Sequence, residues 1–250
     1  RFALGRDCCS WLAAVPSVEA EGQVAAARVA AVAVHGAVGA TGGRSSQCSR
    51  SPGIAPTNGN NSSVLQVNWF GTKTLTEAAL WKIKPGGSVT TVASRAGAKW
   101  EENIAQLRQL AEISEDELDK ILDIDSLTPA RAYELSKELL IFWSMMHATT
   151  QRSIRFNTVS PSSVETRLTP SFQQAFKSRK INNSDLRSRT TTPDEIASAI
   201  WFLANPSSAS INGIDLKVDQ GITAQRTLAE LTTTNQGIQD EQTQSYDSDR

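Results

Sequence analysis

The chain has 250 residues, 39% of them apolar, which is enough for one α/β domain with a closed core and too apolar for a disordered segment. Twenty-five Lys and Arg balance 26 Asp and Glu to a net charge of −1, so neither nucleic acid nor an anionic membrane is expected as a partner. No apolar run approaches the length of a membrane span, and two histidines with Cys8, Cys9 and Cys48 offer neither metal-ligand spacing nor a His-based triad; the default compartment for such cysteines is a reducing cytoplasm.

Three regions follow one another. Residues 1–57 are rich in Ala, hold every Cys and contain no Lys. Within them, 25–34 is apolar enough for a buried strand or helix and runs into the Gly-rich stretch 35–43. Such a loop can cradle a phosphate, although glycines cluster in any loop. The Ala, Arg and Ser content also suits a transit peptide, against which Asp7, Glu19 and Glu21 argue.

Residues 58–221 alternate between helix and strand. A helix is predicted over 63–80, with Val64, Val67, Leu75 and Ala78 on one face, until Pro85, Gly86 and Gly87 break the chain. The β-rich run 88–92 is a strand. A polar helical insert over 100–129 follows, with Ser114 and Glu117 as a capping box and Trp100, Leu107, Leu110 and Leu118 available to pack it down. A long apolar helix over 132–148 leads to a strand over 154–159 that Pro161 stops. Pro193 opens a helix over 194–203, and 216–218 is a last short strand. This alternation predicts a parallel sheet with helices on both faces. Residues 222–250 are polar and read as a mobile tail.

The chemistry concentrates on few residues. Tyr133 and Lys137, four apart on a helix, project from one face. A free phenol titrates near pH 10, and a cation held close favours the phenolate, so the pair can move a proton to or from a substrate oxygen. Taken alone it reads equally well as a core tyrosine beside a surface lysine. Ser94 follows the strand 88–92, at the carboxyl end where parallel sheets place ligands; by itself it is a turn residue. Asn68 lies inside a helix, where Asn is merely tolerated unless a water or a backbone group needs it.

Context makes the pattern specific. Residues 133–137 (Tyr-Glu-Leu-Ser-Lys) resemble the YxxxK signature of the short-chain dehydrogenases/reductases. Residues 67–71 resemble their VNxxG helix motif, 87–94 the strand that delivers the catalytic Ser, 154–161 the IRVNxVxPG strand, and 211–219 the closing ITGxxLxVDGG segment. Order and gaps agree over 53–221. The resemblance implies a Rossmann-type, doubly wound α/β fold, a cofactor of NAD or NADP, and an alcohol or ketone substrate of small size. It implies Tyr133 as general acid/base, Lys137 as the residue that lowers its pKa and holds the nicotinamide ribose, Ser94 as the group that orients the substrate oxygen, and Asn68 as the anchor of a water in the proton relay. Gly53, Pro161, Ser162, Val164 and Thr166 would join Tyr133 and Lys137 in holding the cofactor. A homodimer or homotetramer is expected.

Ser94 and Tyr133 are 133 − 94 = 39 residues apart, a gap filled by the insert. A similar insert marks the branch resembling bacterial 3α-hydroxysteroid dehydrogenase/carbonyl reductase, which suggests a sterol-like or other apolar carbonyl substrate; it is not typical of the acyl-carrier reductases. The family's TGxxxGxG loop is absent, Gly36, Gly39 and Gly42 have the wrong spacing, and only Gly53 remains of the NNAG motif. Ser162 and Gln220 stand where the family has Gly. The first fifty residues therefore read as a mistranslated, rearranged or truncated half, and a cofactor-deficient relative serving as a subunit is the rival reading, with Leu139, Leu140, Phe142 and Trp143 as its contact face.

Overall fold

The computed structural model describes the strands at 30–35 and 47–51 and residues 53–164, 169–177 and 190–232. Its sheet has five strands in the order β2-β1-β3-β4-β5: β1 is Ala30–His35, β2 Gln47–Ser51, β3 Ser88–Val92, β4 Arg155–Pro161 and β5 Asp215–Val218. The pairs β3–β4 and β4–β5 are parallel, in register Val89↔Phe156 and Val159↔Leu216. Of the strand or helix expected within 25–34, a strand forms at its end, but β1 runs antiparallel to both β2 and β3. The parallel sheet expected throughout thus holds over β3, β4 and β5. Pro161, read as the stop of the fourth strand, is its last residue, where a missing N–H costs the ladder little.

Helices cover both faces. On one face a continuous helical segment comprises α1 (Asn61–Leu65), a π-helical turn (Gln66–Phe70) and α2 (Gly71–Leu80), beside the 22-residue α5 (Pro129–Thr150). On the other lies α7 (Pro193–Ala204), packing Ile196 and Leu203 on Val159. The start of α5 is written locally: the Thr128 hydroxyl accepts from Arg131 N, and Pro129 occupies the first turn, where its missing N–H is not needed.

The insert folds as α3 (Ile104–Glu112) and α4 (Leu118–Ile121), flanked by short 3₁₀ turns, with the Ser114/Glu117 capping box formed. Leu107, Leu110 and Leu118 are buried in one cluster with Leu135, Leu139, Leu140, Phe142 and Trp143 of α5, and Trp100 packs against it. The Lys73 ammonium donates to Ala111 O (2.9 Å) and Ile113 O (3.3 Å), tying α2 to the carboxyl end of α3. This corrects one expectation: the apolar face of Leu139, Leu140, Phe142 and Trp143 is at most 8% exposed, because the chain's own insert already covers it. It is packed inside its own chain.

The segment read as a polar tail begins as a helix, α8, over residues 222–232. The buried Asp219 carboxylate accepts from Gly221 N (3.0 Å) and Thr223 N (2.8 Å), satisfying its first turn. Between them Gln220 adopts φ +57°, a left-handed conformation that favours glycine.

Candidate functional site

Tyr133 and Lys137 sit one turn apart on α5, both buried, with the Lys137 ammonium over the Tyr133 ring at 5.6 Å from its centroid. Lys137 is no surface lysine: it is 3% exposed and donates to Val92 O at 3.3 Å, its one acceptor among the described residues. Ser136, the small residue between them, is buried and bonds back to Tyr133 O at 2.7 Å, so it claims no room in the site.

Ser94 comes from the carboxyl end of β3, two residues past the carbonyl that holds Lys137. Its hydroxyl oxygen accepts from Ala96 N (3.1 Å), capping the 3₁₀ turn Arg95–Gly97, and it lies near enough to the Tyr133 phenol to favour the phenolate. Ser94, Tyr133 and Lys137 therefore come together at one place in the structure. Their electrostatics do not follow the expected direction. Burial pushes the Tyr133 phenol up to about 12, and the neighbouring Ser94 hydroxyl only partly opposes it. Burial pushes the Lys137 ammonium down to about 8. The dry environment disfavours either charge more than the cation favours the phenolate.

Asn68 occupies the π-helical turn and is fully buried. Its Oδ1 accepts from Ile54 N (2.8 Å) and its Nδ2 donates to Ile54 O (3.1 Å), so the backbone next to Gly53 is clamped at both of its polar groups. A backbone partner thus uses the side chain that was expected to serve a water. Pro161 ends β4, and Ser162 and Val164 follow it at the same end of the sheet as Ser94, with Ala93 N bonded to Val159 O (2.9 Å), Ser162 N to Val218 O (3.4 Å) and Val164 bridged to Thr191. Thr166 and the glycines of 36–43 lie outside the described residues.

Two features escaped the sequence reading. Phe172 and Phe176, in the middle of α6 (Thr169–Ala175) and just past its end, set their rings edge-on to the Tyr133 ring at 5.0 and 6.2 Å. Their four-residue spacing, like that of Tyr133 and Lys137, was a readable sign of a shared face. The second is the buried Glu138, 2% exposed, clasped by both Arg131 nitrogens (2.6 and 2.9 Å) and touched by Asn103 of the insert (3.3 Å). Arg131 is seven residues away and Asn103 thirty-five, so no short motif announces the group. Among the described residues no cluster of His, Cys, Asp and Glu can hold a metal, and no helix is long and apolar enough to cross a membrane.

Comparison with known proteins matches this arrangement. A 3α-hydroxysteroid dehydrogenase from Pseudomonas sp. B-0831, solved with NADH, superposes with a TM-score of 0.56 at 27% identity, covering 70% of this chain and 71% of that one. The chain is similar to the short-chain dehydrogenases/reductases over its second half. A family model described as enoyl-(acyl carrier protein) reductase matches residues 118–223, from the end of the insert through β5. Coniferyl-alcohol dehydrogenase from a Pseudomonas species is 33% identical over 164 residues, 64% of each protein. Meso-2,3-butanediol dehydrogenase from Serratia marcescens is 37% identical over 71 residues, 28% of each. The chain thus spans less than two thirds of the length of these curated relatives.

Proposed function

We propose that this protein is a short-chain dehydrogenase/reductase that interconverts an alcohol and a ketone or aldehyde with NAD(H) or NADP(H). One observation carries the reading: a buried phenol lies beside a serine hydroxyl and beneath a buried ammonium at the carboxyl ends of the parallel strands. The Ser94 hydroxyl would hold the substrate oxygen and stabilise negative charge on it. Tyr133 would deliver the proton to that oxygen in reduction and remove it in oxidation. Lys137, still mostly protonated at neutral pH with its pKa near 8, would favour the phenolate as it forms.

The described residues fit the nicotinamide end of a dinucleotide. The fully buried Lys137 ammonium has three N–H bonds and one acceptor among those residues, which leaves donors for ribose hydroxyls. Tyr133 would share that ribose, Gly53 would line the cleft with backbone, and Pro161, Ser162, Val164 and Thr166 would face the nicotinamide. When bound, the cofactor supplies or accepts the hydride. Asn68 keeps the segment after Gly53 rigid beside α5 and would steady that wall.

The aromatic edges of Phe172 and Phe176 against Tyr133 favour an apolar substrate with a flat or ring-bearing body, in keeping with the hydroxysteroid and coniferyl-alcohol dehydrogenases it resembles. A cytoplasmic, homo-oligomeric enzyme suits the family. The test is oxidation of coniferyl alcohol and a 3α-hydroxysteroid with each nucleotide, for the wild type and Tyr133→Phe. Turnover should fall by about 10²–10⁴-fold in the variant, far more than any loss of NADH or NADPH affinity read by fluorescence titration. Equal turnover in the two proteins refutes the reading.

A further inference from the structure

Gly97 ends the 3₁₀ turn that Ser94 caps, and its amide donates to Ser94 O at 2.9 Å. A Cβ placed on it would lie 2.8 Å from the carbonyl carbon of Lys137, 2.9 Å from Cδ1 of Ile141 and 3.0 Å from the amide nitrogen of Glu138. Two of those three atoms belong to the backbone of α5, within one residue of the Lys137 side chain. By contrast, a Cβ on Gly71 or Gly213 would approach nothing closer than 3.4 and 3.3 Å, and one on Gly59 or Gly221 would meet nothing within 4 Å. Gly59, Gly86, Gly213 and Gly221 have positive φ; Gly97 does not. Its reason for being glycine is therefore space and not torsion.

We propose that Gly97 is a positioning residue: its bare α-carbon seats the Ser94 turn directly on the backbone of α5, and that seat sets the spacing between the Ser94 hydroxyl and the Tyr133 phenol. The geometry leaves few other ways to accommodate a side chain. α5 is a 22-residue helix buried along most of its length and cannot bend locally to make room. The turn is short and closed on itself by the Ala96 and Gly97 amides, so it moves as a unit with Ser94. Upstream, Val92 O is pinned by the Lys137 ammonium, and Ala93 N is bonded to Val159 O, so the strand end stays where it is. A methyl group on Gly97 would lift the turn, and Ser94 with it, off the helix that carries Tyr133.

The inference rests on the reading of Ser94 and Tyr133 as the pair that handles the substrate oxygen, and its test separates the two claims. The chain has two tyrosines, Tyr133 and Tyr246, so Tyr246→Phe leaves Tyr133 as the single reporter. In that background, with carbon-13-labelled tyrosine, the ring carbon bearing the hydroxyl reports the hydrogen bonding of the Tyr133 phenol with no substrate present. Gly97→Ala should move this resonance in the direction that Ser94→Ala does. It should lower kcat by about 10²-fold, the scale of a misplacement approaching 1 Å, while nucleotide Kd stays within about threefold. Because both changes act through one hydroxyl, the double variant Ser94→Ala/Gly97→Ala should be no slower than Ser94→Ala. If Gly97→Ala does not fold, the same measurements on Gly97→Ala/Ile141→Val, which removes the Cδ1 contact and keeps the two backbone ones, decide the matter. A resonance and kcat unchanged in the folded variant, with only Tm lowered, overturn the inference. Absence of turnover in the wild type, with the resonance still moving, overturns the oxidoreductase reading and leaves the seat standing.

Discussion

Replacing Lys137 with Met should make the protein more stable at neutral pH while abolishing the proposed activity. The buried ammonium has its pKa lowered from 10.5 to about 8 by loss of hydration. A depressed lysine pKa means that below pH 8 the folded state carries a charge it disfavours, whereas the unfolded chain holds the same proton in water up to 10.5. Between these values the unfolded state binds more protons, so stability rises with pH. At 1.36 kcal/mol per unit, the penalty is about 3 kcal/mol below pH 8 and falls below about 1 kcal/mol by pH 10. Loss of the bond to Val92 O and of some packing offsets part of the gain, by an amount that does not depend on pH. Tyr133, whose raised pKa removes stability only as pH climbs from about 10 toward 12, contributes equally to both proteins and cancels. Urea unfolding of wild type and Lys137→Met at pH 7, 8, 9 and 10 reads the difference. The gap should shift by about 2.5 kcal/mol in the wild type's favour from pH 7 to pH 10. A gap that stays flat over that range would show that Lys137 is hydrated in the folded state, and the account of a dry proton-transfer centre would fail.

Two other changes test the scaffold. Gln220→Gly relieves a left-handed backbone at the cost of a 3.3 Å bond to Thr191; it should add about 1 kcal/mol and raise Tm by about 2–4 °C in thermal unfolding. Arg131→Ala leaves the Glu138 carboxylate buried with Asn103 as its remaining side-chain partner among the described residues, and should cost about 3 kcal/mol by urea unfolding, with Glu138→Gln in the same chain recovering most of it. A loss equal to that of an exposed ion pair, under about 1 kcal/mol, would contradict the burial of Glu138.

Sequence alone determined what depends on neighbours along the chain. The one-turn spacing of Tyr133 and Lys137, the Thr128–Pro129 start of α5, the Ser114/Glu117 capping box and the β-rich run of β3 are local, because helix and strand periods and caps span only a few residues. Tertiary structure decided what distant segments do to one another. It gave Asn68 a backbone partner fourteen residues away, turned β1 antiparallel, and brought Phe172 and Phe176 to the Tyr133 ring. It also laid the insert over the helix face read as a subunit contact, put Gly97 against the α5 backbone, and reversed the expected shift of the Tyr133 phenol. Burial and close approach depend on how the whole chain packs, and desolvation grows with that packing; no spacing of residues along a sequence encodes either quantity directly.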